Sequence, residues 1–326
     1  YVYNNTKNAF YRSAVGPGGI QIPDGRILIV SQGTYQNGQA RQSSTVTALC
    51  KPAGVEFDKA AFGNSHVKIL GSTLDVVDSR TVGWTPASYS PYDMATNPLR
   101  GAEVASNANA LNSIEFDSAA KIDGNVNSGP SSVMGAIAYY GAYVSGTDGS
   151  LASSKDNVKV YEPSTAISLS AGSANYAGPA AVLNLAPGSY KVGGDLSVTG
   201  GASIVVSGPT QLYIKGDITL TGAKLNIIGK PSDLQIYALG GPGSKVEIDG
   251  TTASMVLSGP ESDVHVTGSE IFGAVNGNNL IMESSSKLHY DRGLTGVYFA
   301  STDWVNDSFL GRGSTESLAI TPPPSP

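Results

Sequence analysis

The sequence predicts a mainly β fold, a parallel β-helix or β-solenoid, on three observations. Two stretches align by eye: GDLSVTGGASIVVSGPTQLYI, Gly194 to Ile214, and GDITLTGAKLNIIGKPSDLQIY, Gly216 to Tyr237. Each opens on Gly-Asp, runs into an alternating strand and Thr-Gly, and continues through a second strand and a Pro turn into a third. The period is about 22 residues, within the range that marks a solenoid. Weaker copies follow at 244–268 and 269–290. Second, the strands are short and alternate, as in Leu196 to Val198, so one face of each is apolar. A single turn of chain cannot bury that face, whereas stacked turns make a continuous core. Third, only 14% of residues are charged and 40 are Gly, against roughly 25% charged in average globular chains. A β-sandwich of hairpins is the alternative, but the Asn-Gly or Asp-Gly turns that favour antiparallel pairing are scarce.

In chain order, YVYNNTKNAFYRSAV at 1–15 spaces Val2, Ala9 and Phe10 near helical intervals, and the Gly-Pro-Gly-Gly at 16–19 ends it. Strand signals at Arg26 to Ser31 and Ser43 to Leu49 flank Asn37-Gly38, which predicts an antiparallel hairpin. The domain reading is therefore an N-terminal segment at 1–50, a solenoid at 51–294, and a C-terminal segment at 295–326. Phe57 to Ser79 is expected to form the first rung. The Pro-, Tyr- and Trp-rich stretch 81–104 is expected to interrupt the solenoid, and Asn112 to Val126 to resume it. Residues 128–174 are expected to form a second insertion holding a short helix or an excursion. Tyr298, Phe299, Trp304 and Phe309 suggest an aromatic cap over the last open edge, and TPPPSP an extended tail.

The bulk numbers exclude several classes. A net charge of −6 with no basic face excludes nucleic acid as a partner. The single Cys50 forms no internal disulfide and reads as a small apolar residue ending a strand. No apolar run of 18 residues or more predicts a membrane span. A chain that opens on Tyr1 rather than Met reads as a processed or truncated product.

Candidate chemistry is sparse. His265, in Asp263-Val-His-Val, reads as a solvated surface residue. His289 and Tyr290 are neighbours on a strand and point to opposite faces, so His289 reads as closing the solenoid through hydrogen bonds. No His or Cys pair has transition-metal spacing around His66, His265, His289 or Cys50. Asp195 and Asp217 fall at equivalent places in successive rungs, about 4.8 Å apart if stacked. They could hold Ca²⁺, or each could cap its own Gly-Asp corner through backbone N–H groups, the favoured reading. No carboxylate cluster of the kind glycosidases use is visible. No catalytic residue, cofactor-binding residue, metal ligand or cofactor is therefore expected, and the chain reads as no enzyme.

NNTKNAFYRSAVG at the N-terminus resembles the segment after the hydrophobic helix of PilX-type type IV pilus accessory, pilin-like proteins. IVSQGTYQNGQARQSSTVTAL, ILGSTLDVVDSR and KIDGNVNSGP resemble that family's later elements in the same order. His289, Tyr290, Asp291 and Leu294 stand where its closing rung ends in His-Tyr-Asp and Leu. Ser13, Ala14, Val15 and Gly16 replace its Glu-Ala-Gly. The resemblance implies a pilin-like helix remnant at the N-terminus and a solenoid akin to polymer-forming β-helical proteins. It also implies an extracellular, cell-surface role as a structural or adhesive pilus or filament subunit. Its partners would be copies of itself, other pilus subunits or surface glycans, and it would meet a membrane only through a helix not in this sequence. The alternative is a carbohydrate-active or glycan-binding secreted β-helix, the glycan-binding form using the Tyr-rich insertion Thr81 to Val104, with Tyr89 and Tyr92, as its platform.

Overall fold

Leu196 stands on Ile218, Ile218 on Val246 and Val246 on Val264, and the column continues through Leu280, Val67 and Ile114 to Ile137. All of these side chains except Ile137 are buried. Each such burial contributes about 1.5–3 kcal/mol, which no single short strand could collect alone. This computed structural model describes residues 2–4, 9–11, 27–37, 40–52, 55–81, 84–88, 101–152, 154–155, 160–295, 298–299 and 304–318. The chain divides into two compact units, 55–299 and 1–54 with 300–326.

The unit 55–299 is a parallel β-solenoid with three strands to a rung. In the central repeat the rung is Gly188–Val192, Leu196–Thr199 and Ser203–Val206. It pairs in parallel with Thr210–Ile214, Ile218–Thr221 and Lys224–Leu225. Parallel pairing removes the hairpin sandwich as an alternative. The repeat is 22 residues long between Leu196 and Ile218 but 28 between Ile218 and Val246 and 18 between Val246 and Val264. The long coil carries the turn at 226–233, with its 3-10 segment Pro231–Asp233. The short one bends within the single strand Thr252–Thr267.

The winding does not follow the chain. The C-terminal rung, within Glu270–Glu283 and Lys287–Asp291, pairs with Ala61–Ile69 and Thr73–Val77 near the start of the unit. From there rungs at 104–122 and 126–144 follow, ending at Asp148–Ser150. The chain then returns to the opposite end, where Ile167–Ser170, Ala174–Ala177 and Val182–Leu185 begin the second winding. Along the face that holds Ser150 and Ile167 the strands are spaced about 4.8 Å apart. The nine spacings between those two strands come to roughly 43 Å, within the 53–58 Å that the connecting residues can reach. Lys155 marks the path, pairing with Asp58 while its backbone N–H donates to Asn107 Oδ1 at 2.7 Å. Glu162 marks it further on, 2.6 Å from Lys191 and 3.0 Å from Lys215.

Several expectations are corrected here. The stretch 128–174 is not an excursion: Ile137–Tyr139, Tyr143–Val144, Asp148–Ser150 and Ile167–Ser170 are rung strands. Their small side chains and weak apolar alternation conceal this, because they lie at the solenoid's two ends, where less is buried. The stretch 81–104 does separate two rungs. Tyr89 and Tyr92 lie outside the described residues, and Pro86–Ser88 form a 3-10 turn.

The other unit is a five-stranded sheet in the order Ala9–Tyr11, Val2–Asn4, Ile27–Asn37, Ala40–Pro52, Trp304–Leu318. The expected hairpin is present and closes with Asn37 opposite Ala40. The expected helix remnant is not: Val2–Asn4 and Ala9–Tyr11 pair antiparallel, as suits residues such as Val2, Tyr3, Phe10 and Tyr11, which favour strands. Trp304 and Phe309, expected in a solenoid cap, lie on a strand paired with Ala40–Pro52. Tyr298–Phe299 pairs instead with Val55–Glu56 inside the solenoid unit. No helix among the described residues is long and apolar enough to cross a membrane.

Candidate functional site

The Gly-Asp corners form a ladder of side-chain to backbone hydrogen bonds. Asp195 Oδ1 accepts the backbone N–H of Asp217 at 2.9 Å, and Asp217 Oδ1 accepts that of Lys245 at 2.8 Å. One rung earlier, the Asp195 N–H donates to Ser173 Oγ at 3.1 Å. Each side chain thus caps the corner of the next rung rather than its own, a correction to the favoured reading of Asp195 and Asp217. Gly216 is glycine because a Cβ there would lie 2.1 Å from Asp195 Oδ1 and 2.7 Å from its backbone nitrogen.

The three histidines have separate surroundings. His66 faces Glu115 at 3.7 Å. His265 is less solvated than expected, with Nε2 3.0 Å from Glu283 and Nδ1 3.4 Å from Glu247. His289 and Tyr290 do diverge. The Tyr290 hydroxyl donates to the Phe57 carbonyl at 2.9 Å, whereas the His289 ring faces outward and is nevertheless only 3% exposed.

His289 is the floor of a cleft of about 480 Å³ on the outer face of the solenoid. Its Nδ1 lies 2.5 Å from buried Asp75, and its Nε2 lies 3.3 Å from Glu270. The ring stacks on Phe272 with centroids 4.5 Å apart, and Trp84 meets Phe272 edge-on at 6.0 Å. Burial opposes charge on the imidazole, but the hydrogen bonds to Asp75 and then to Glu270 outweigh it and raise the His289 pKa. The same hydrogen bond from His289 is the main cause holding the Glu270 carboxyl below its ordinary value. The two carboxylates favour the charged form of the imidazole between them.

The register explains the rest of the cleft. Lys224, Thr252, Glu270, Lys287 and Thr73 occupy one ladder position on five successive rungs. Ile227, Pro86 and Ala87 complete the lining. Among the described residues, no group of three or more His, Cys, Asp or Glu is placed to hold a metal ion.

Residues 184–297 match the family described as Domain of unknown function (DUF7305), about a third of the chain. No curated protein matches the sequence. Among solved structures, the chain is similar to the competence-associated pilin ComZ from Thermus thermophilus at 11% identity. That match covers 93% of this chain and 86% of the other, with a TM-score of 0.28, too low a superposition to carry an argument.

Asp75, Glu270, Lys224 and Lys287 were not singled out from the sequence. A signal for them exists in the repeated triplets Thr73-Leu-Asp75, Lys224-Leu-Asn226, Glu270-Ile-Phe272 and Lys287-Leu-His289. In each, a buried aliphatic residue separates two outward positions. What the sequence does not show is that the first triplet stacks on the last.

Proposed function

We propose that the chain is a non-enzymatic structural subunit of an extracellular, pilus-associated or filamentous surface appendage, and that its solenoid stacks end to end with copies of itself. One observation carries this reading: both ends of the solenoid are open and almost without charge. Natural proteins guard open β edges with charge or Pro. Residues 163–190 at one end contain no Asp, Glu, Lys or Arg, and the end rung at 137–150 carries a single charge, the exposed Asp148. A core column that is buried from Val198 to Phe116 terminates in Tyr176 at one end and Tyr139 at the other. Tyr139 is 38% exposed and Tyr143 51%, while Ile167 and Val182 at the opposite end are 57% and 46% exposed. Because every rung-to-rung pairing is parallel, a second copy placed on either end continues the same ladders in the same sense. The pilus association rests on the ordered motifs from ILGSTLDVVDSR to His289-Tyr290-Asp291, and the strands at the N-terminus do not contribute to it.

Ala138 and Asn175 occupy the same ladder position at the two ends, so end-to-end stacking sets one above the other. Sedimentation and negative-stain imaging across a concentration series test the reading. The wild-type chain is expected to lengthen into rods, Ala138→Lys with Asn175→Lys to stay monomeric, and Ala138→Lys with Asn175→Asp to regain assembly. A wild-type chain that stays monomeric at every concentration overturns the stacking.

A further inference from the structure

The outward row over His289 is an unusual use of a solenoid face. Lys224, Thr252, Glu270, Lys287 and Thr73 present ammonium, hydroxyl, carboxylate, ammonium and hydroxyl groups on successive rungs, spaced about 4.8 Å apart. Two cations, Lys224 and Lys287, and the imidazole of His289 stand beside the two carboxylates Asp75 and Glu270, in a chain whose net charge is −6. Lys287 lies 3.6 Å from Glu270 and is 55% exposed. Lys224 makes no ion pair among the described residues.

These features sort the candidate ligands. A purely apolar molecule would strand the ammonium and carboxylate groups without water. A compact anion such as phosphate bridging the two lysines would be held against the Glu270 carboxylate, which stands between them in the row. A nucleotide base lacks a stacking face, since Phe272 is 2% exposed and is occupied by His289 and Trp84. An acidic peptide would satisfy the lysines but would bring no side-chain donors to Glu270 between them. A chain of linked sugars carrying both carboxylates and hydroxyls matches every position: carboxylates for the lysines, hydroxyls for Glu270 and the two threonines. The C–H faces of its rings suit the walls made by Ile227, Pro86 and Ala87. The volume of about 480 Å³ falls within the range of ligand sites, roughly 300–1,000 Å³.

We propose that this cleft binds a short segment of a carboxylated polysaccharide, with Lys224 and Lys287 holding its carboxylates and Thr252, Glu270 and Thr73 its hydroxyls. No bond is made or broken. The site is independent of the end-to-end stacking, because the ladder position it uses lies in the middle rungs.

Calorimetric titration of the full chain tests the site with tetramers of galacturonate, glucuronate and mannuronate, a neutral galactose tetramer and tetraglutamate. At least one uronate tetramer is expected to bind, with the neutral tetramer and the peptide at least tenfold weaker. Lys224→Ala and Lys287→Ala are each expected to weaken that binding about tenfold, the worth of one charge-assisted hydrogen bond. Both side chains are solvent-facing, so both variants should keep the wild-type melting temperature and the wild-type rod assembly. Failure of all three uronates to bind overturns the proposal. So does equal binding of the neutral tetramer or the peptide, or binding that is indifferent to both substitutions.

Discussion

Asp195 Oδ1 accepts the backbone N–H of Asp217 at 2.9 Å, so a side chain of one rung satisfies the main chain of the next. The contact passes directly over Gly216, whose missing Cβ leaves the carboxylate its path. The Gly-Asp repeat visible in the sequence is therefore one device in two residues: the Gly makes room and the Asp of the rung before fills it.

Gly216→Ala is expected to destabilise more than Asp195→Ala. The added methyl would meet backbone as well as the carboxylate, at 2.7 Å from Asp195 N, and such overpacking costs about 1–3 kcal/mol. Losing the carboxylate removes the hydrogen bond from Asp217 N–H and a longer one from Ser173 Oγ at 3.4 Å, both at an exposed corner, where one such bond is worth about 0.5–1.5 kcal/mol. The double variant should lose less than the sum of the two, because without the carboxylate part of the clash disappears. Urea unfolding of all three variants measures this, and strict additivity would refute the coupling.

Much of the solenoid was legible because Gly194 to Tyr237 repeats its turns and its alternation together. The end rungs were not, since Ile137–Tyr139 and Ile167–Ser170 bury too little apolar surface to need strong alternation. The return of the chain past its own start was not legible either. Nothing in Thr73-Leu-Asp75 states that its neighbours are Lys287-Leu-His289, 214 residues on between Asp75 and His289. The cleft depends on that pairing, so its residues could be seen singly but not assembled. The N-terminal segment misled for the opposite reason: Val2, Ala9 and Phe10 fit a helical spacing, and pairing within a sheet decided otherwise.

The seam where the two windings meet gives a second test. Leu280 is fully buried between Val264 and Val67, so Leu280→Ala should cost about 2–5 kcal/mol. Hydrogen exchange is expected to speed up in Ala61–Ile69 together with Glu270–Glu283, although these strands are far apart in the chain. Faster exchange confined to 270–283 would contradict the seam.

Stability should depend on pH through His289. Its folded pKa is raised above the ordinary value of about 6.5, so its contribution is complete below that value and is lost as the pH rises through the folded pKa. Glu270 runs the other way: its pKa is lowered, so its contribution is present above the ordinary carboxylate range and is lost as the pH falls through the folded value. Melting temperature is therefore expected to decline in the wild type as the pH rises above the ordinary imidazole value of about 6.5. His289→Gln should melt lower at pH 6 and show a shallower decline. Parallel pH curves for the two proteins would remove the imidazolium from the account.

The return of the chain along the solenoid should be sensitive to acid at Glu162. Hydrogen bonds from Lys191 and then Lys215 hold this carboxyl below its ordinary value, so the ion pairs survive to lower pH than a free glutamate would allow. They are released as the pH falls through the lowered pKa. Glu162→Gln removes the charge at every pH and should make the segment near residue 160 open to a protease at neutral pH, while the rungs at 188–221 stay protected. In the wild type the same cleavage should appear only in acid, with an acid-active protease. Equal cleavage rates for the two proteins at neutral pH would show that the chain is held to the rungs by packing alone and that the two lysines add nothing to it.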